Sequence, residues 1–281
     1  MIDHDALMAY SIPEVRQHRT QHDTILYALS IGLGADPMDM RQLDFVDQHR
    51  TLRAMPSMAV VLGHPGLWAA HPDTGIDALR IVHGEQTVTL HGALPTEGEV
   101  IGRTRITGLV DKGPGRGALM YTEKQVVDAS GRLLATTETT TFLRGDGGYG
   151  GPSAPVRPPH PAPEGEPDFA VDLPTRPEQA LYYRLNGDDN PLHADPDFAA
   201  RAGFPRPILH GLCTMGVVVH ALLRTLCDYD PAGLHSVGLR FSAPVYPGET
   251  IRTEIWRNGG FRARVLERDS VVVNNGLAVT A

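Results

Sequence analysis

The chain has 281 residues, 41% of them hydrophobic, with 30 glycines, 23 prolines and a formal net charge of -8 at neutral pH. That length suits one large domain or two smaller ones, either able to bury a sizeable core. No run approaches the roughly 18 apolar residues of a membrane span, and the acidic balance argues against general nucleic-acid binding, which needs a basic surface to displace counterions. The N-terminus, MIDHDALMAYSIPEV, has acidic residues and no basic flank before an apolar stretch, so no secretory signal is expected and the cytoplasm is the expected compartment. An apolar helical stretch is predicted from Pro56 to Leu62. Long strands follow over Ile81–Gly113 and Gly117–Gly145, where β-branched residues alternate with polar ones and glycine punctuates the turns. From Gly145 to about Gln179 glycine and proline crowd the sequence without a sustained period, which predicts a connector.

After the connector the same order recurs in shorter form. A second apolar helix is predicted from Ile208 to Leu226, followed by strand-like alternation over Ser236–Thr280. Cys213 and Cys227 are too few and too far apart for a disulfide framework or a closed zinc site, and are expected in this helix as small apolar residues. The segment ALPTEGEVIGRTRI, beginning at Ala93, matches APVYPGETIRTEIW, beginning at Ala243, in its turn and in the strand that follows. One helix ahead of a run of antiparallel strands in each half predicts an α+β architecture with a duplicated unit. Periodicity alone fits a single α+β domain with chance similarity equally well.

The chemistry-bearing stretch runs from Tyr183 to His193. Gly187 permits a tight turn and Pro191 blocks regular structure, so Asp188, Asn190 and His193 share one compact loop. A carboxylate beside an imidazole can accept and deliver protons near neutral pH, and Asn190 can orient one of them. Taken alone, Gly-Asp-x-Asn-Pro is also ordinary turn chemistry. Gly211 opens the second predicted helix, where unpaired backbone N–H groups and the positive dipole end suit a developing negative charge. A plain helix start packed on a strand would look the same.

Together the loop GDDNPLH and the segment ILHGLCTMG resemble the MaoC-like hydratases, and more closely the hydratase 2 unit of peroxisomal multifunctional enzymes. IVHGEQ, LVDKG, FLRGDGGYGG and RFSAPVYPGETIRTEIW follow in the family's order, so the likeness covers nearly the whole chain. The resemblance implies a double hotdog, two repeats of a long helix wrapped by an antiparallel β-sheet. The N-terminal repeat would be residues 1–150, without a catalytic loop and with room for the acyl chain, the linker residues 151–178, and the C-terminal repeat residues 179–281. It implies reversible (R)-specific hydration of a 2-enoyl-CoA, with Asp188 and His193 as the catalytic pair, Asn190 supporting them and Gly211 donating to the thioester oxygen. Asp188 would take the proton from water and His193 deliver one to C2, or the reverse.

Substrate contacts would come from His83, Gly84, Lys112 and Phe241, and around the loop from Asp189, Pro191, Leu192 and His210. Lys112 could equally be a solvated turn lysine, and His83 a half-buried strand histidine. Asn186 stands where the family often has a small hydroxyl residue. CoA would be part of the substrate, with no metal or redox cofactor needed because the thioester already polarises the alkene. A hotdog acyl-CoA thioesterase and a non-catalytic acyl-CoA binding protein are the alternatives, and the architecture leaves room for a homodimer.

Overall fold

In the computed structural model, which describes residues 2–281, the strands of both halves join in one antiparallel sheet of ten. The first half supplies α1 (His4–Met8), β1 (Val15–Arg19), α2 (Gln21–Ser30), α3 (Met40–Val46), β2 (Ile81–Leu90), β3 (Gly98–Asp111), β4 (Ala118–Asp128) and β5 (Leu133–Leu143). The second supplies β6 (Phe169–Pro174), α4 (Gln179–Tyr183), α5 (Pro196–Arg201), α6 (Gly211–Leu226), β7 (Leu234–Phe241), β8 (Thr250–Ile255), β9 (Gly260–Val265) and β10 (Ser270–Thr280). Across the sheet the order is β1-β3-β4-β5-β2-β7-β10-β9-β8-β6. Read inward from either edge, the two halves have the same connectivity, so β1 corresponds to β6, β3 to β8 and β2 to β7. The matched segments near Ala93 and Ala243 lead into β3 and β8, two corresponding strands. Here the duplication predicted from those segments is a property of the topology.

The halves meet where β2 pairs with β7, Glu85 opposite Arg240 and Val88 opposite Val237. Arg240 donates to the Glu85 carboxylate across this seam at 3.1 Å. In the second half α6 packs against β6, β7 and β8, with every residue from Cys213 to Leu223 buried. A helix apolar on all sides is stable only when enclosed. Close approach is needed at Gly216, where a Cβ would come within 2.4 Å of Ile31 Cγ2. Of the two cysteines, Cys213 is buried in α6 and Cys227 is half-buried just after its end.

In two places the prediction needs correction. Among the described residues the first repeat has no helix as long as α6: Pro56–Val60 forms a short 3-10 turn, though its residues are fully buried. The chain then crosses β3 with Gly63 at φ +54, so close that a Cβ on Gly102 would lie 2.0 Å from the Gly63 carbonyl oxygen. Its loose carbonyls are collected by Lys124 on β4, whose Nζ donates to the oxygens of Ala59, Val60 and Leu62 at 3.1, 2.8 and 2.7 Å. The stretch expected as linker, 151–178, also contains β6, which pairs with β8 at the sheet's outer edge. An edge strand tolerates the Pro174 that obscured it. Among the described residues, no helix is long and apolar enough to cross a membrane.

Candidate active site

The loop between α4 and α5 is shaped by its own polar residues. Gly187 takes φ +105, ending the turn after α4 in a conformation other residues rarely adopt. Asn190 then caps a 3-10 turn over Pro191–His193, its Oδ1 accepting the Leu192 N–H at 3.1 Å with proline in the favoured first position. Its side-chain oxygen therefore serves the turn, while its backbone N–H donates to Asp188 Oδ1 at 3.4 Å. Asn186 fastens the loop to the first half by donating to Ser30 Oγ at 3.0 Å and to the Tyr183 carbonyl at 2.9 Å.

The turn brings Asp188 and His193 together, with polar side-chain atoms of Asp188, His193 and His210 all within 4.8 Å of one another. The His193 Nδ1 lies 2.9 Å from the Ile208 carbonyl oxygen. A carbonyl can only accept, so Nδ1 carries the hydrogen and Nε2 presents a lone pair when the ring is neutral. Burial lowers the His193 pKa, against the Ile208 bond and the Asp188 charge, which favour the cation. The resting site thus offers two proton acceptors, a carboxylate and a neutral imidazole.

Gly211 opens α6 directly beside this pair. A Cβ there would lie 3.4 Å from the Phe241 ring, in van der Waals contact, so the helix tip packs directly beside Phe241 of β7. Phe241 in turn meets His83 edge-on, ring centroids 5.0 Å apart. His83 is aimed by a β-bulge at Gly84, where the register of β2 against β5 slips by one residue, a device common beside active sites. Burial takes the His83 imidazole down to about 4, and its Nε2 is buried without a partner. Asp188, His193, His210, Gly211, His83 and Phe241 therefore converge, while Pro191 and Leu192 are half-buried in the turn and Asp189 is exposed.

Lys112 sits apart from that centre, in the turn joining β3 and β4, exposed, with its ammonium 4.9 Å from the centre of the Phe142 ring. Phe142 pairs with Val82, the residue before His83, so Lys112 stands over the same end of the β2 and β5 pair. Its turn is pinned by Asp111, which accepts the N–H groups of Gly113, Gly148 and Gly150 at 2.8, 2.7 and 2.8 Å.

Three neighbours of this centre were not among the expected site residues. His64 is open to solvent, yet surrounding protein, with Lys124 adding to it, lowers its imidazole to about 4, and it feels the charge of Asp188. Tyr183 packs its buried ring 4.9 Å from that of His210, and Lys124 holds the 59–62 carbonyls. His64 and Lys124 are single residues far from the loop in sequence, and Tyr183, though it opens the stretch that carries Asp188 and His193, has no spacing that announces its packing on His210.

Asp188, His193 and His210 have the composition of a two-histidine, one-carboxylate metal site. The two rings, however, lie face to face, centroids 3.7 Å apart and 27° from parallel. Their in-plane lone pairs run side by side and do not meet at one point, and His210 Nε2 is already committed to the Asp188 carbonyl at 3.1 Å. The arrangement suits proton transfer better than chelation.

Comparison with known proteins assigns both halves. The MFE-2 hydratase 2 N-terminal domain matches residues 18–145 and the MaoC like domain residues 159–281. Among curated relatives, enoyl-CoA hydratase ChsH3 of Mycobacterium tuberculosis is 38% identical over 98% of this chain and 98% of its own length. The peroxisomal enoyl-CoA hydratase 2 of Arabidopsis thaliana is 37% identical over 96% of this chain and 93% of its own. A MaoC-like dehydratase from Phytophthora capsici superposes with a TM-score of 0.85 at 35% identity, covering 99% of this chain and 98% of that one. Matched from end to end in sequence and in structure, the chain belongs to the MaoC-like hydratases of the hydratase 2 type.

Proposed function

We propose that the chain reversibly hydrates trans-2-enoyl-CoA thioesters to (3R)-3-hydroxyacyl-CoA. The observation that carries this reading is the convergence of Asp188 and His193 beside the N-terminus of α6. Net hydration moves one proton from water to C2 while the remaining hydroxyl bonds to C3. Two acceptors at rest suffice: one takes the proton from water and returns it to C2, while the other holds the water by accepting its second hydrogen. Because His193 Nε2 has its lone pair free, His193 is as well prepared as Asp188 to take that proton and return it, in place of the division of the two steps between the pair. Negative charge passing to the thioester oxygen would be met by the Gly211 N–H at the helix tip. One pair working from one side of the alkene delivers both hydrogen and hydroxyl to the same face, which is syn addition.

His83 and Phe241 would wall the slot, and Lys112 would supply the point charge that a CoA phosphate needs on an acidic protein. The test is incubation of purified protein with trans-2-butenoyl-CoA, following loss of the enoyl absorbance, chiral analysis of the product and release of free thiol. The reading expects (3R)-3-hydroxybutanoyl-CoA with no thiol released. Thiol release would assign a thioesterase, and binding without turnover would assign a carrier.

A further inference from the structure

His210 lies at the junction of every part of the site. It is the residue before Gly211, at the start of α6, and only 1% of it is exposed. Its Nε2 is 3.1 Å from the Asp188 carbonyl oxygen, which can only accept, so Nε2 carries the hydrogen and the Asp188 backbone is held to the helix tip. One face of its ring covers His193 at 3.7 Å and the other side meets Tyr183 at 4.9 Å. Tyr183, itself fully buried, packs against Tyr27 of α2 with centroids 6.0 Å apart. A column of four rings therefore runs from the core of the first half to the catalytic imidazole.

We propose that His210 is a positioning residue, fixing the Asp188 main chain and the His193 ring plane from behind without touching the acyl group. This rests on the assignment of Asp188 and His193 made above. The stack and the Ile208 carbonyl leave His193 with one free valence, Nε2, and one orientation for it. A proton carrier is the other role open to a histidine here, and the geometry opposes it: Nε2 is taken by the Asp188 carbonyl and Nδ1 is buried without a partner, while burial and the neighbouring His193 lower the ring to about 3. The charged and titratable groups facing it are Asp188, His193, Tyr183 and Arg184, of which Arg184 also disfavours its protonation. Its Nδ1 is buried with no partner. A phenyl ring would fill the same space without that unpaired acceptor, but would leave the Asp188 carbonyl without its donor.

Two variants separate the contributions. His210→Phe retains a ring against His193 and loses the N–H. It is expected to lower kcat about 10- to 100-fold, the scale of small misplacements in a reacting pair, with KM within about twofold of wild type and the acid limb of kcat/KM unmoved. His210→Ala also removes the stack and admits water to His193, relieving the burial that depresses it, so its acid limb moves to higher pH. Thermal denaturation of both variants accompanies the kinetics, and if the alanine variant does not fold the phenylalanine variant decides alone. A raised KM with unchanged kcat in His210→Phe would make His210 a substrate contact, and wild-type kcat and KM in that variant would make it filler. Either overturns the proposal. Asp188→Asn is assayed alongside: if it is fully active, the catalytic assignment fails, whereas an inactive Asp188→Asn beside a wild-type His210→Phe sinks the positioning role alone.

Discussion

Replacing Gly211 by alanine separates a catalytic glycine from a structural one. A Cβ at this position would meet Phe241 Cε1 and Cζ at 3.4 Å and Cδ1 at 3.6 Å, ordinary van der Waals distances, and the glycine does not occupy the left-handed region. Neither a clash nor backbone strain opposes the substitution. Alanine is also the better helix former, by up to about 1 kcal/mol in a helix interior, and less at a first position. Stability should therefore change by no more than about 1 kcal/mol, roughly 2–4 °C in Tm for a chain of this size. Activity should respond quite differently. If the Gly211 N–H receives the thioester oxygen, the added methyl would crowd its approach, and loss of one such donor costs about 100- to 1,000-fold in kcat, about 2.7–4 kcal/mol. Enoyl-CoA hydration and thermal unfolding measured on the same preparation give the answer. Wild-type kcat in a folded Gly211→Ala protein would remove the helix tip from the mechanism, and failure to fold would show that the glycine is there for packing.

Lys124→Met leaves the carbonyls of Ala59, Val60 and Leu62 without their donor. Because the cost of the buried ammonium disappears at the same time, a net loss of about 2–4 kcal/mol is expected, read as a Tm lower by roughly 5–10 °C; an unchanged Tm would mean the three bonds only balance the burial of the charge. His220 is buried in α6 with its Nε2 3.1 Å from the Tyr229 hydroxyl, and burial holds its imidazole at about 4. Between pH 6.5 and 4 the unfolded chain takes up this proton and the folded chain does not, so stability present above pH 6.5 is lost as pH falls toward 4. Denaturant titrations across that window should find His220→Gln less steep by up to about 1.4 kcal/mol per pH unit, and parallel curves would place the acid sensitivity elsewhere. Lys112→Ala should raise KM for an acyl-CoA roughly 3- to 10-fold with kcat unchanged, an effect that fades at high salt. An unaffected KM at low salt would return Lys112 to being a solvated turn residue.

Much of the architecture could be read because the repeat left two nearly superimposable turn-and-strand segments, at Ala93 and Ala243, and the strands after them occupy corresponding places in the sheet. The helix at Ile208–Leu226 was legible for a related reason, an apolar run long enough to need enclosure. Its counterpart at Pro56–Leu62 was not. Whether a buried apolar run of that length forms an α-helix or a tighter turn was settled by Gly102 and Lys124, which lie some 40 to 65 positions further along. β6 was hidden because FAVDLP sits in a proline-rich stretch and becomes a strand only by pairing with β8. In the site, the one-loop grouping of Asp188 with His193 was visible from Gly187 and Pro191. Asn190 meets the pair through its main chain, whose N–H donates to Asp188 Oδ1 at 3.4 Å, while its amide oxygen is taken by the backbone of its own turn. His64 was beyond reach, because what brings it to Asp188 is the folding of a remote segment, and Tyr183, though it opens the chemistry-bearing stretch, gave no sign of packing on His210.

The measurement that bears most directly on the account is the hydration rate of purified Asp188→Asn with trans-2-butenoyl-CoA, taken with its affinity for CoA. Asparagine keeps the size of the side chain and loses its capacity to take a proton, so kcat should drop by about 100- to 10,000-fold while CoA binds as before and the protein melts normally. Hydration at the wild-type rate by that variant would contradict the account at its centre.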